Sequence, residues 1–285
     1  MARETFQVGD LTAVIGDNEG YEGHRAGYNG VHRLTHRTNS KSSLFTVTGL
    51  NHEHVFDGDH ELRGDSKVFF EPRNAPMTFT KISDSEAELH QPPTPTFHLE
   101  SWTRFKLVAP HYIDMTYRCK PHQHVFTNGY IGLFWATYIN APENKSIYFR
   151  DDKGWVQLCT QMHNDESTVL HVNDKTELKF APNTRPTLFK SLSPLRFSDP
   201  IYYGYFGSHQ YIIMFDRTEG IRFSHSPSGG GPPSATEPAW DWQFIIPEYE
   251  VAQEYGYRAR AVYRERCSQD EVLQEYKKWR ATLNK

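Results

Sequence analysis

Cysteine is scarce in this chain of 285 residues: Cys119, Cys159 and Cys267 are far apart and odd in number. They build neither a disulfide framework nor a zinc ribbon, and thiols kept reduced fit a cytoplasmic protein. Runs of a single charge are also missing. The net charge is −4 with both signs interspersed, so no basic footprint for nucleic acid stands out. No apolar stretch is long enough to span a membrane. The opening residues, Met1 to Asp10, contain no apolar segment of a secretory signal, which again makes the cytoplasm the expected location. Gly-x-Ser-x-Gly elbows, phosphate loops and Gly-x-Gly-x-x-Gly fingerprints do not occur, leaving acyl-transfer, nucleotide and dinucleotide chemistry without support.

What is abundant is histidine and aromatic side chain: 15 His, 18 Phe, 16 Tyr and 6 Trp. Many stand in polar, turn-rich surroundings, as in Asn51-His52-Glu53-His54, His90-Gln91-Pro92-Pro93 and Pro110-His111-Tyr112-Ile113-Asp114. Aromatic faces stack on the apolar faces of sugar rings, while imidazole, amide and carboxylate groups hydrogen-bond the hydroxyls. The composition therefore suits a carbohydrate-handling surface, although aromatic residues also fill ordinary β cores.

Strand signals dominate. Aromatic and β-branched runs bounded by Asn, Asp, Gly and Pro predict strands over 43–48, 67–70, 97–108, 112–119, 130–139, 146–149 and 155–160. Further strands are expected over 201–206, 211–215, 220–224, 242–246 and 255–263. With so little helix between them, the strands should form one all-β domain, a large antiparallel β-sandwich or barrel. One helix is expected at the C-terminus, about 268–283. Ser268 with Glu271 forms a capping box, and Val272, Tyr276, Trp279 and Leu283 share a face. The glycine-rich loop 226–238 follows His225 and is either a rim beside a pocket or an inert excursion.

Period-two alternation places His98, Glu100, Trp102 and Arg104 on one face of the strand from Phe97, and Tyr112, Asp114, Thr116 and Arg118 on one face of the next. Joined as a hairpin, they read either as an acid/base pair with substrate-holding arginines or as a cross-strand ion-pair ladder on a solvated face. His52/His54 and His122/His124 are His-x-His pairs whose rings share a side if extended, with Glu53 facing the other way. They are possible ligands for a divalent Zn, Mn or Fe ion, or proton-transfer groups without metal. Asn29-Gly30 is a strong hairpin-turn signal, with His32 able to project into a site. Asn128 to Trp135, punctuated by glycine, suits close backbone approach or a bulge. Trp240-Asp241-Trp242 offers another stacking platform or core.

Three stretches carry a family resemblance: Ala26 to Leu34 leading to Leu50 to Gly58, then Glu100 to Asp114, and the tail Trp240 to Ile246 with Tyr255 to Tyr263. In order and flavour the chain resembles the galactose-mutarotase-like supersandwich group, which includes aldose epimerases and the related sandwich domains of glycoside hydrolases and polysaccharide lyases. The resemblance implies a supersandwich over roughly residues 5 to 265 and a carbohydrate ligand. Epimerases of that group carry an Asn-His pair opening a mid-chain strand and a late glutamate base. Here the mid-chain position reads Asn128-Gly129-Tyr130, and the late glutamates are Glu248 and Glu250. Acid/base groups are then expected among His52, His54, Glu100, His111, Asp114 and His225. Arg73 and Arg104 are expected to hold substrate, with Trp102, Trp135 and Trp240 stacking on it. The competing readings are a non-catalytic sugar-binding or assembly module and a metal-dependent enzyme of cupin type.

Overall fold

The computed structural model describes residues 2–20, 27–232 and 234–283; Met1 and Ala26, named above, and Pro233 of the glycine-rich loop lie outside the described residues. In chain order the strands are β1 (Arg3–Val8), β2 (Leu11–Gly16), β3 (Gly30–His36) and β4 (Asn51–Phe56). Two short helices follow, α1 (Ser66–Phe69) and α2 (Glu71–Asn74). Then come β5 (Thr78–Ser83), β6 (Glu86–Gln91), β7 (Leu99–Val108), β8 (Tyr112–Pro121), β9 (Ile131–Ala136), β10 (Ile147–Arg150) and β11 (Trp155–Leu158). The remainder is β12 (Thr168–His171), β13 (Leu192–Phe197), β14 (Ile201–Phe206), β15 (His209–Phe215), β16 (Ile221–Ser226), β17 (Ala239–Ile246), β18 (Tyr255–Glu265) and α3 (Gln269–Leu283).

Nine strands form a sheet in the order β11-β10-β14-β15-β18-β8-β7-β6-β5, and six form a second in the order β13-β12-β16-β17-β9-β4. Pairing is antiparallel throughout except between β12 and β13. A third sheet of β1, β2 and β3 adds Phe6, Leu11, Ile15 and Leu34 to the same buried core. The fold is the expected all-β sandwich. Its inner layer is aromatic: Trp135 on β9 and Trp242 on β17 stack with ring centroids 5.7 Å apart, and Tyr117 from β8 meets Trp135 edge-on at 4.7 Å.

Alternation decides what faces in. On β7, Leu99, Ser101, Thr103, Phe105 and Leu107 are buried, while Glu100, Trp102, Arg104 and Lys106 face outward. The outer side of the nine-stranded sheet is covered at β14, β15 and β18 by α3, where Val272 and Trp279 pack on Ile201, Tyr203, Ile212 and Val262. The capping box at the start of α3 is present. The Glu271 carboxylate accepts from the Ser268 backbone N–H at 2.9 Å, and the Ser268 hydroxyl accepts from the Glu271 N–H at 3.3 Å.

Three sequence expectations give way. The apolar run 67–70 is helical, because Asp65 caps it by accepting from the Lys67 N–H (2.8 Å); so short a run carries no period of its own. Asn29-Gly30 is not a two-residue hairpin turn but the entry to β3. The buried Asn29 amide accepts from the His52 N–H (3.0 Å) and donates to the His52 carbonyl (2.9 Å), standing in for a neighbouring strand. Segment 43–48 makes only an isolated bridge, Phe45 with Ile139.

Close packing leaves no room at Gly204 on β14, where a Cβ would lie 2.3 Å from the Trp240 ring. Gly204→Ala should destabilise the protein by about 1–3 kcal/mol through overpacking, read as a lower urea midpoint with an unchanged slope.

Candidate functional site

The outer face of the six-stranded sheet carries a cavity of about 470 Å³, within the ~300–1,000 Å³ usual for small-molecule sites. β4, β9 and β17 supply its floor, including Glu53, His54, Phe134 and Asp241. Its walls are α1 and α2 with Phe69, Phe70 and Arg73, the 185–189 segment with Arg185 and Phe189, and the glycine-rich loop at Gly229 and Gly230. That loop is therefore a rim. Gly229 has a φ of +53°, and a Cβ there would come within 2.9 Å of Tyr138, so glycine is required on both counts.

The floor depends on a β-bulge. Pairing of β4 with β9 shifts between His52 and His54, with His52 opposite Trp135 and His54 opposite Phe134. The extra residue turns Glu53 and His54 to the cavity together. The reading that His52 and His54 share a side, with Glu53 opposite, is corrected by this bulge. His52 points into the inter-sheet core, stacked 4.9 Å from Trp135, and burial pushes its pKa down to about 3, with the His54 charge acting the same way.

Glu53 is buried among donors. Tyr138 donates its hydroxyl to both carboxylate oxygens at 2.9 Å, the Asn51 amide donates at 2.8 Å, and an Arg73 guanidinium nitrogen lies 3.5 Å away. Burial works to raise this carboxyl, but the hydrogen bond and charge of His54, the charge of Arg73 and the Tyr138 hydroxyl together hold it below the usual range. Asp241 has the opposite fate. It stands between the inward-facing Trp240 and Trp242, and its carboxylate accepts only the Thr137 backbone N–H (2.8 Å) among the described residues. Burial drives its pKa far above that of an ordinary aspartate; the Thr137 N–H opposes the rise and the Glu53 charge adds to it.

Two imidazoles complete the set. His54 Nδ1 lies 2.5 Å from the Phe69 carbonyl, which can only accept, so that nitrogen carries hydrogen. Its Nε2 faces Glu53 at 3.4 Å. His163 stands part-exposed at the mouth, with Nδ1 2.8 Å from the Ser226 hydroxyl. Partial desolvation lowers its pKa, while the charges of Glu53 and His54 act in opposite senses. Arg73 is fixed because the α2 carbonyls are anchored. The Asn18 amide donates to the Pro72, Arg73 and Ala75 carbonyls, and the Gln91 amide to those of Pro72 and Ala75. The guanidinium itself lies over Tyr28 at 4.0 Å.

Of the residues singled out from sequence, the cavity holds His54 and Arg73. Glu100, Trp102 and Arg104 lie on the outer face of the nine-stranded sheet, on the far side of the shared core. There Glu100 takes His90 (2.9 Å) and His122 (2.8 Å), Trp102 stacks on His90, and Arg104 pairs with Glu88. Asp114 is tied to Arg260 on β18. The cross-strand ladder is thus the arrangement that forms. His111 sits in the β7–β8 turn, 3.7 Å from Asp10. His225 is fully buried between the Thr160 hydroxyl and the Lys145 carbonyl, its pKa lowered to about 4 chiefly by burial. His32 is buried in the three-stranded sheet beside Gly16, and Trp135 and Trp240 belong to the inter-sheet core. His124 rests near Tyr249, and among the described residues no three His, Cys, Asp or Glu side chains converge as a metal-ligand group. The sequence reading passed over Glu53, Asp241 and His163. An acid between two tryptophans on a two-residue period was the signal for Asp241.

A second hollow of about 570 Å³ lies beside β16 and β17, but its part-buried Asp174 is already paired with the buried Arg222 at 2.9 Å.

No protein-family model and no curated protein sequence matches the chain. Solved structures do. A putative aldose 1-epimerase from Escherichia coli K12 superposes with a TM-score of 0.55 at 8% identity, covering 93% of this chain and 99% of that one. A galactose mutarotase related enzyme from Lactobacillus acidophilus gives 0.55 at 11% identity, covering 93% and 100%. An alpha-N-acetylgalactosaminidase from Bifidobacterium bifidum gives 0.55 at 10% identity, covering 97% of this chain and 38% of that longer one. Likeness at such identities concerns architecture: the chain has the galactose-mutarotase-like fold, found in proteins named for action on sugars. No described helix is long and apolar enough to cross a membrane.

Two stability measurements follow. An aspartate with a raised folded pKa contributes stability that is complete below its unfolded value, near 3.8, and lost as pH rises towards the folded value. Asp241→Asn should therefore gain in stability relative to the native chain as pH rises above 4, measured by urea unfolding at a series of pH values. His52 has a depressed pKa, so its contribution is present above pH 6.5 and lost as pH falls towards 3. His52→Phe should weaken that acid-side loss over the same interval.

Proposed function

We propose that this protein is a carbohydrate-active enzyme that binds a sugar in the cavity on the six-stranded sheet and works by proton transfer. One observation carries the reading: a single cavity holds two buried carboxyl groups whose surroundings push them to opposite protonation states, Glu53 ionised and Asp241 neutral. Asp241 then has a proton to give to a ring or glycosidic oxygen. His163, uncharged at neutral pH, takes one from a substrate hydroxyl or C–H, and exchange with solvent at the mouth resets both groups. Glu53 is too fully engaged by Tyr138, Asn51 and Arg73 to act as the base; it orients those donors. Phe69, Phe70, Phe134 and Phe189 provide an apolar side for the C–H face of a pyranose. Epimerisation, glycosidic cleavage and β-elimination all need this one proton given and one taken. The fold's likeness to proteins named for sugar chemistry supports the substrate class.

The test is a panel of free aldoses followed by polarimetry and NMR exchange, with oligosaccharides and polyuronates assayed for new reducing ends and unsaturated products. Asp241→Asn should lower turnover by about 10²–10⁴-fold with sugar binding retained. Sugar binding that is equal in both forms, with no turnover on any substrate, would establish a binding module instead.

A further inference from the structure

The permanent charges in the cavity do not cancel. Arg73 is opposite the one ionised carboxylate, Glu53. Arg185, on the wall of the cavity, is left over: among the described residues no carboxylate comes within ion-pair distance of it, and its guanidinium lies over the Phe69 ring, with the guanidinium carbon 4.1 Å from the ring centroid.

This exposed arginine is nevertheless held in place. The Lys190 ammonium donates to the Thr184 hydroxyl at 2.6 Å and to the carbonyls of Thr184 (3.3 Å) and Arg185 (3.4 Å). From the other side the Asn164 amide donates to the Pro186 carbonyl at 3.3 Å. Phe69 supports the guanidinium from one side. A solvating arginine gains nothing from such restraint, whereas an anion receptor does, because the ordering is complete before the ligand arrives.

We infer that the sugar bound here carries one negative charge, a carboxylate of the uronate type, received by the Arg185 fork. The inference rests on the proposed sugar site and specifies its substrate class. A planar guanidinium matches a planar carboxylate through two parallel hydrogen bonds. The single guanidinium of Arg185 offers one such pair of parallel donors, enough for one carboxylate.

Titration calorimetry on the full chain tests this with glucuronate, galacturonate, glucose, galactose, glucose 6-sulfate and glucose 6-phosphate. Each uronate should bind about 10–100-fold tighter than its neutral parent, by the usual strength of hydrogen bonds to charged groups. Added salt should shrink that ratio. Arg185→Gln should abolish the preference, and Arg185→Lys should restore part of it. Equal affinity for uronates and neutral sugars in the native chain would overturn the inference while leaving the sugar site intact. If no sugar of either kind binds, the site reading itself falls. A sulfate or phosphate ester binding tighter than the uronates would overturn the carboxylate assignment. The native-chain ratio decides even if a variant fails to fold.

Discussion

A one-residue slip in the pairing of β4 with β9 is the constraint on which the cavity depends. Without it, strict alternation would send His52 and His54 the same way and bury Glu53 on the other side of the sheet. With it, His52 closes the inter-sheet core against Trp135, and Glu53 and His54 face the cavity together. A bulge re-aims side chains at the expense of local ladder hydrogen bonds. Here the Asn29 amide, at the entry to β3, bonds both backbone groups of His52 and so anchors the strand beside the slip.

Rigidity matters because the site's electrostatics come from burial. Glu53 and Asp241 share one hollow, and their different states follow from their neighbours: hydroxyl, amide, imidazole and guanidinium groups around the first, a lone backbone N–H on the second. A carboxylate in that setting is stabilised by each donor; a carboxyl without them keeps its proton. The same sheet that hides Trp240 and Trp242 exposes Asp241 to the cavity, so the packing core and the chemistry alternate along a single strand.

Several features were legible in the sequence for sound physical reasons. Strand 201–206 and the hairpin of 97–108 with 112–119 were legible as short aromatic and β-branched runs bounded by turn residues, and the helix at the C-terminus because its capping box and apolar spacing agree. The resemblance to the mutarotase-like group led to the architecture that the superposed structures share. By contrast β1, β2, β3, β5, β6, β12 and β13 were not anticipated. β5 is largely exposed and polar, and β4 was read as a histidine-rich segment instead of a buried strand. The polar hairpin face around Glu100 was identified correctly as one face, yet alternation is silent on whether such a face meets a cavity or open water.

The sequence by itself determined that the chain is a β-sandwich rich in aromatic residues with one capped terminal helix, because strand period, turn chemistry and capping are local properties. Which acids and imidazoles meet was decided only by tertiary structure. Glu53, His163 and Asp241 are separated by long stretches of chain and are brought together by sheet order, β4-β9-β17, by a single bulge and by loops folding over one face. None of these leaves a periodic trace. The protonation states are decided there as well, since desolvation exists only once the chain has folded around the group.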